Sequence, residues 1–254
     1  MNKMIGNIFD PYDRKARLYP ALLAMLVPVV AGLLIVPAYS NQVINLTSTA
    51  VALGGLMLLS SLGRERGKRV EPGLFKEWGG APTTQMLLQH QSGLLDHITF
   101  QRYRRFLEMR ISGLKFTDVE DASADIKNAT VACESSIKWL REATRDTSKF
   151  PLVFSELTNY GFRRNLLGVK PAAIFLSIAS LLVIGFHACN VSGGLLSSVP
   201  VQSWLATMIA ILGVLFWSFV VTSEFVKTTA FAYATALLAA CDSPNFPAFP
   251  PSLV

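Results

Sequence analysis

The sequence predicts an all-α membrane protein: two transmembrane helical hairpins flanking a cytosolic helical bundle. Three observations carry this. Leu18 to Gly63 holds no Asp, Glu, Lys or Arg over 46 residues, and Pro171 to Ser223 holds none over 53. Each stretch is long enough for two crossings at roughly 20 residues apiece. The block between them, Gly63 to Lys170, carries 31 of the 40 charged residues in the 254-residue chain, so it belongs in water. Composition agrees: 16% of residues are charged, whereas soluble domains run near about 25%.

The elements follow in order. "DPYDRKAR", residues 10 to 17, starts a polar helix. Asp10 suits the cap, Pro11 the first position and Asp13 the first turn. Residues 1–17 are therefore expected as a cytosolic amphipathic helix. "LYPALLAMLVPVVAGLLIVPAY" from Leu18 is the first span. It is too long for a secretory signal, and a second apolar run follows at once. Pro28, near its middle, is expected to kink it. "SNQ" at 40–42 is a polar turn, and the second span covers about 43–62. Gly54 and Gly55 there suit close helix approach. Hairpin 1 is thus 18–62.

Charge fixes orientation. Lys3, Arg14, Lys15 and Arg17 precede the first span; Arg64, Arg66, Lys68 and Arg69 follow the second; Arg163, Arg164 and Lys170 precede the third. Both loops on the other side are uncharged. By the positive-inside rule both termini and the middle block are cytoplasmic. The same rule accounts for the basic pI, so no specific nucleic acid is expected as a partner.

The cytosolic domain, 63–170, reads as helical. In "GGAPTT", Gly79 and Gly80 precede a helix start with Thr83 and Thr84. Free amides at such a turn can hold an anion. The competing reading is a plain turn and helix cap, since the P-loop lysine pattern is absent. "FQRYRRFLEMRI" puts Phe100, Tyr103, Phe106, Leu107 and Ile111 on one face. Arg102, Arg104 and Arg105 then fall on the solvated face, a candidate nucleotide surface. Thr117 and Glu120 form a capping box. The helix they open, about 118–146, bears a stripe of Ile126, Ala129, Cys133, Ile137, Leu140 and Thr144 suited to a bundle or a coiled-coil pair. Pro151 opens another helix. In "NYGFRRNLLGVKP", Arg163 and Arg164 sit with Tyr160, Phe162, Asn165 and Gly168, a more specific set than a juxtamembrane anchor needs.

Hairpin 2 is 171–223. Its first span covers about 171–189 with Pro171 in the opening turn. The last span starts near Trp204 and meets no stop signal, so one helix of about 38 residues is expected to reach Cys241. Residues 224–241 would be its cytosolic extension. The tail, 242–254, holds four prolines and reads as an extended arm.

No catalytic constellation emerges. Cys133, Cys189 and Cys241 are distant and odd in number, and with His90, His97 and His187 they match no metal-ligand spacing. Asp96 beside His97 is too little for an enzyme. The spans carry no acid or base for a proton relay or ion-coupled transport. The expectation is therefore no enzyme, no cofactor and no metal. The candidate contacts for a ligand, a partner or lipid headgroups are Arg64, Arg66, Lys68, Arg69, Gly79, Gly80, Thr83, Thr84, Arg102, Arg104, Arg105, Arg163 and Arg164.

Three stretches, "DPYDRKARLYPALLA", "RERGKRVEPGLFKEWGGAPTTQMLLQHQ" and "REATRDTSKFPLVFSELTNYGFRRNLLGVKPAAI", carry a resemblance. With them the chain resembles a family of uncharacterised small bacterial inner-membrane proteins with four expected spans. That resemblance implies a multi-pass protein of the bacterial cytoplasmic membrane and brings no catalytic residues. The architecture is also loosely similar to transmembrane effectors of anti-phage defence systems, in which a cytosolic sensing event acts on membrane helices. The expected function is a non-enzymatic membrane effector or sensor. The alternative is a membrane scaffold recruiting a soluble enzyme through the bundle and the proline tail. Expected partners are the bilayer, further copies of the chain, a cytosolic protein and a nucleotide ligand.

Overall fold

The computed structural model describes residues 11–35, 42–88, 94–116 and 123–246, with backbone alone over 42–50 and 123–126. Every regular element among them is helical. α1 runs Pro11–Ile35, α2 Gln42–Glu77, α3 Pro82–Leu88, α4 His97–Arg110, α5 Ser123–Ala143, α6 Pro151–Ser192, α7 Val201–Val220 and α8 Ser223–Ala239. Asp10, the turn at 40 and 41, the capping-box residues Thr117 and Glu120, and the tail beyond Phe246 lie outside the described residues. The chain forms two compact units. One takes residues up to Glu71 and Thr158–Val226; the other takes Pro72–Leu157 and residues from Lys227 onward.

The first unit is apolar. α1, α6 and α7 are each long and apolar enough to cross a membrane. Their packing reverses that of a water-soluble bundle. Small residues fill the interior: Ala21, Ala24, Ala31, Ala173, Ala206 and Ala210 are all buried. Large apolar residues point outward, with Phe175, Leu182, Phe186 and Phe219 each at least 70% exposed. Lipid tails tolerate exposed Leu and Phe, and tight helix contacts need small side chains, so this is the pattern a bilayer selects. Larger residues fill the rest of the interior, with Trp217 buried among Leu59, Leu166, Val169 and Val221. Ser177, Ser180 and Thr207 donate to carbonyls four residues back, which satisfies their hydroxyls without water.

Two helix boundaries differ from expectation. Pro171 does not open a helix; it lies inside α6, which runs unbroken for 42 residues. Proline there removes one N–H bond and crowds the carbonyl four residues back, a cost that the packing of neighbouring helices offsets. Conversely, the expected single helix to Cys241 is two helices. α7 ends in a π-helical turn, Phe216–Val220, and Val221 leaves helical space at φ −82°, ψ 86°. Thr222 restarts the chain by accepting the Phe225 amide on its Oγ1 at 3.3 Å.

The second unit carries a mixed core. α8 contributes Ala230, Tyr233, Ala234, Leu237 and Leu238, and α4 contributes Phe100, Tyr103 and Leu107. The stripe on α5 is core as well: Ala129, Cys133, Ile137, Leu140 and Thr144 are buried, and α5 packs on α3. It is therefore occupied within one chain and lends no support to a coiled-coil pair. The start of the tail is bound down rather than extended. Ala240–Asp242 form a 3-10 turn, Asn245 Nδ2 donates to the Lys149 carbonyl at 2.6 Å, and the Phe246 ring sits 5.3 Å from Phe106, 5.1 Å from Phe150 and 6.1 Å from Trp139.

Thiol labelling checks this burial. Desolvation pushes the Cys133 thiol up to about 12, and does the same for Cys241. Both are buried, whereas Cys189 is exposed. Maleimide treatment of detergent-solubilised protein at pH 7.5 (roughly four units below those thiols) should modify Cys189 first, read by mass spectrometry. Equal modification of all three would contradict the packing.

Candidate functional site

Polar side chains inside the apolar unit concentrate on the first half of α6. Tyr160, the consecutive residues Arg163, Arg164 and Asn165, and Lys170 lie on three neighbouring stretches of the helix, and consecutive side chains there point in different directions. Between them they reach three parts of the unit.

Arg164 Nη1 donates to Glu71 Oε1 of α2 at 2.9 Å, and the Tyr160 hydroxyl donates to the same oxygen. The Arg164 side chain is only 11% exposed and that of Glu71 24%, so this is a largely buried ion pair. The Arg164 guanidinium also lies over the Tyr160 ring, 5.5 Å from its centre. Asn165 is 2% exposed. Its Nδ2 donates to the Ala16 carbonyl at 2.8 Å. Ala16 belongs to the π-helical turn Arg14–Leu18 of α1, where regular bonding is interrupted and a carbonyl is available.

Glycines allow this convergence. A Cβ on Gly168 would stand 2.5 Å from the Gly67 nitrogen and 3.0 Å from its Cα. A Cβ on Gly67 would stand 2.6 Å from Asn165 Oδ1. Only hydrogen fits between α2 and α6 at this crossing.

Lys170 and Arg163 hold the break between α7 and α8. Lys170 Nζ donates to the carbonyls of Ser218, at 3.1 Å, and Val221, at 2.8 Å. The last carbonyls of a helix have no partner within it, and a cation there is also favoured by the helix dipole. Arg163 Nη1 donates to the Phe225 carbonyl at 2.8 Å, with its guanidinium 4.1 Å from the centre of the Phe225 ring. One helix thus grips the other three: Glu71 on α2, Ala16 on α1, and the junction that ends α7. The arrangement binds and positions helices; it presents a held carboxylate and capped carbonyls rather than a nucleophile beside a base.

The other sequence-derived candidates fall elsewhere. Arg64, Arg66, Lys68 and Arg69 are exposed on α2, available to headgroups or solvent. Gly79 and Gly80 have φ of +85° and +133° and close α2. The Gly80 amide donates to Phe75 and the Gly79 amide to Lys76, the paired bonds of a Schellman cap. Gln85 Nε2 adds bonds to the Trp78 and Gly80 carbonyls. Those two amides are therefore engaged, and the turn reads as helix termination rather than an anion cradle. Thr83 is buried and Thr84 half-buried on α3. Arg104 is not on the solvated face. It is 6% exposed, between the Phe100 and Phe116 rings at 4.7 and 4.9 Å. Arg102 pairs with Asp242, and Arg105 is exposed.

Sequence reasoning singled out Tyr160, Arg163, Arg164, Asn165 and Gly168 together but passed over Glu71. Its place at the end of a basic stretch that already contains Glu65 gave no distinguishing signal. Lys170 was read only as a topology marker, although a lysine directly before Pro171 at the edge of an uncharged run is poorly placed unless it has carbonyls to hold. Among the described residues no group of three metal-ligating side chains comes together. No family model, curated protein or solved structure was found to match this chain.

Proposed function

We propose that this is a four-span protein of the bacterial inner membrane, with both termini in the cytoplasm, acting as a non-enzymatic effector or sensor. The fourth span is the uncharged first half of α2, residues 42–62. The polar unit receives a cytosolic signal from a partner protein or nucleotide. The apolar helices then perturb the membrane, assembling with further copies of the chain; the setting proposed is anti-phage defence.

One observation carries the reading: the interruption between α7 and α8, held by Lys170 and Arg163 of α6. π-helical turns and helix breaks inside apolar bundles are expensive and tend to mark moving parts. This one is stabilised by side-chain bonds that a shift of α6 would remove. α6 contributes residues to both units, so it is the natural carrier of that shift.

The test is membrane potential in living bacteria, followed with a potential-sensitive dye after induced expression, with and without phage challenge. The wild type should depolarise the cells. The Arg163→Ala, Arg164→Ala double variant, present in the membrane at equal level, should not. A steady potential in all conditions would reject the effector reading and favour a passive scaffold.

A further inference from the structure

We infer that the polar unit contains a binding site for a phosphorylated small molecule of nucleotide size, and that occupancy of this site is coupled to release of the C-terminal tail. The inference concerns the polar unit alone and holds whether or not the spans act as an effector.

The site is a cleft of about 500 Å³ along α4 and the segment after it. That volume lies within the roughly 300–1,000 Å³ typical of small-molecule pockets. Three arginines line it, Arg102, Arg104 and Arg105, against one carboxylate, Glu108. Glu108 is already engaged: its Oε1 accepts the Phe116 amide at 2.7 Å and ties that segment to the helix. The lining charge therefore favours an anion. Arginine suits phosphate in particular, because its planar fork pairs with two oxygens at once.

Each arginine has a distinct place. Arg104 is held between the Phe100 and Phe116 rings, which fixes a buried cation in the wall before any ligand arrives. Arg105 is exposed and makes no ion pair with another described residue, so it meets the ligand first. Ile98, 74% exposed, and Phe116 supply an apolar wall against which a ring can lie. A phosphate on Arg105 and Arg102 with a ring on Ile98 and Phe116 is the chemistry of a nucleotide.

Arg102 makes the link to the tail. Its Nε and Nη2 each donate to a carboxylate oxygen of Asp242 at 2.7 Å. Four residues on, Phe246 is seated among Phe106, Trp139 and Phe150. Asp242 therefore occupies the fork that a phosphate would take. A ligand that engages Arg102 competes with Asp242 and loosens the tail; by reciprocity, removing Asp242 strengthens the ligand.

Isothermal titration of the full chain in phosphatidylcholine nanodiscs, with adenosine monophosphate and inorganic pyrophosphate as probes, tests both parts. Arg105→Ala should weaken binding by about tenfold or more, the equivalent of one charge-assisted hydrogen bond. Asp242→Asn should tighten it. The emission of Trp139, isolated by comparison with Trp139→Phe, should change as wild type is titrated. The absence of binding to either probe overturns the site. So does unchanged affinity in Arg105→Ala, whose exposed side chain is not needed for folding. Wild-type affinity in Asp242→Asn, or a silent Trp139, overturns the coupling. Phosphatidylglycerol nanodiscs separate the sources of phosphate: if anionic lipid in the disc abolishes the binding of both probes that phosphatidylcholine discs support, the cleft takes a lipid headgroup and the small-molecule assignment fails.

Discussion

Replacing Gly168 by alanine destabilises the apolar unit by about 3 kcal/mol or more, the upper end of overpacking costs. The new methyl has nowhere to go. Its obstacles are the backbone nitrogen and Cα of Gly67, at 2.5 and 3.0 Å from an ideal Cβ, and the Gly63 carbonyl lies on the same side. A side chain can rotate away from such a contact, but the backbone of a helix cannot. α2 and α6 must separate, and their separation strains the Arg164–Glu71 pair that joins them. Gly185 on the same helix is the control. Nothing lies within 4 Å of its ideal Cβ, so Gly185→Ala should be neutral or gain up to about 1 kcal/mol from helix propensity. The comparison is read from equilibrium unfolding in mixed detergent. If Gly168→Ala unfolds at the wild-type midpoint, the helix crossing is not as close as described.

The second large effect is at Glu71. Glu71→Ala leaves Arg164, 11% exposed, with its carboxylate gone in a low-dielectric setting. Breaking a buried pair from one side costs about 3–5 kcal/mol, and the residual exposure of Glu71 argues for the lower end. Arg164→Met alone should cost similarly, because Glu71 then keeps only the Tyr160 hydroxyl. The combined Glu71→Ala, Arg164→Met variant should recover much of the loss, since no uncompensated charge remains. Tyr160→Phe removes one hydrogen bond and should cost about 1–2 kcal/mol. Additive losses in the double variant would show that the two residues do not act as a pair.

These positions show what the sequence made legible. The charge-free runs identified the apolar helices directly, because a bilayer excludes charge along an entire span. The arginine pair before the third expected span stood out, since its neighbours Tyr160, Asn165 and Gly168 exceeded what anchoring requires. What those residues touch was not legible. Glu71 lies 93 positions from Arg164, and nothing local marks it as the partner. The break at Val221 was hidden for a related reason. Val220, Val221 and Thr222 continue a helical pattern, and the interruption becomes affordable only when Lys170, 51 residues earlier, reaches the Val221 carbonyl. Arg104 was misjudged because helical spacing sorts residues by face but does not reveal that two phenylalanine rings cover a cation. The stripe on α5 was seen correctly and its neighbour was not: periodicity shows that a face is buried without saying against what.

The lysine cap also has a consequence for membrane thickness. α7 comprises 20 residues, a length of roughly 30 Å, close to that of a hydrocarbon core. Most lysines at a membrane boundary can slide along it by bending their stems. Lys170 cannot do so without giving up two carbonyls, so its charge stays at a fixed depth relative to the end of α7. A thicker bilayer would then draw that charge towards the acyl chains, and stretching the side chain offers no relief. Tilting the bundle or thinning the surrounding lipid remains, each costing a fraction of a kcal/mol per ångström of mismatch. Lipid acyl length is then expected to be a variable that acts on the α7–α8 junction.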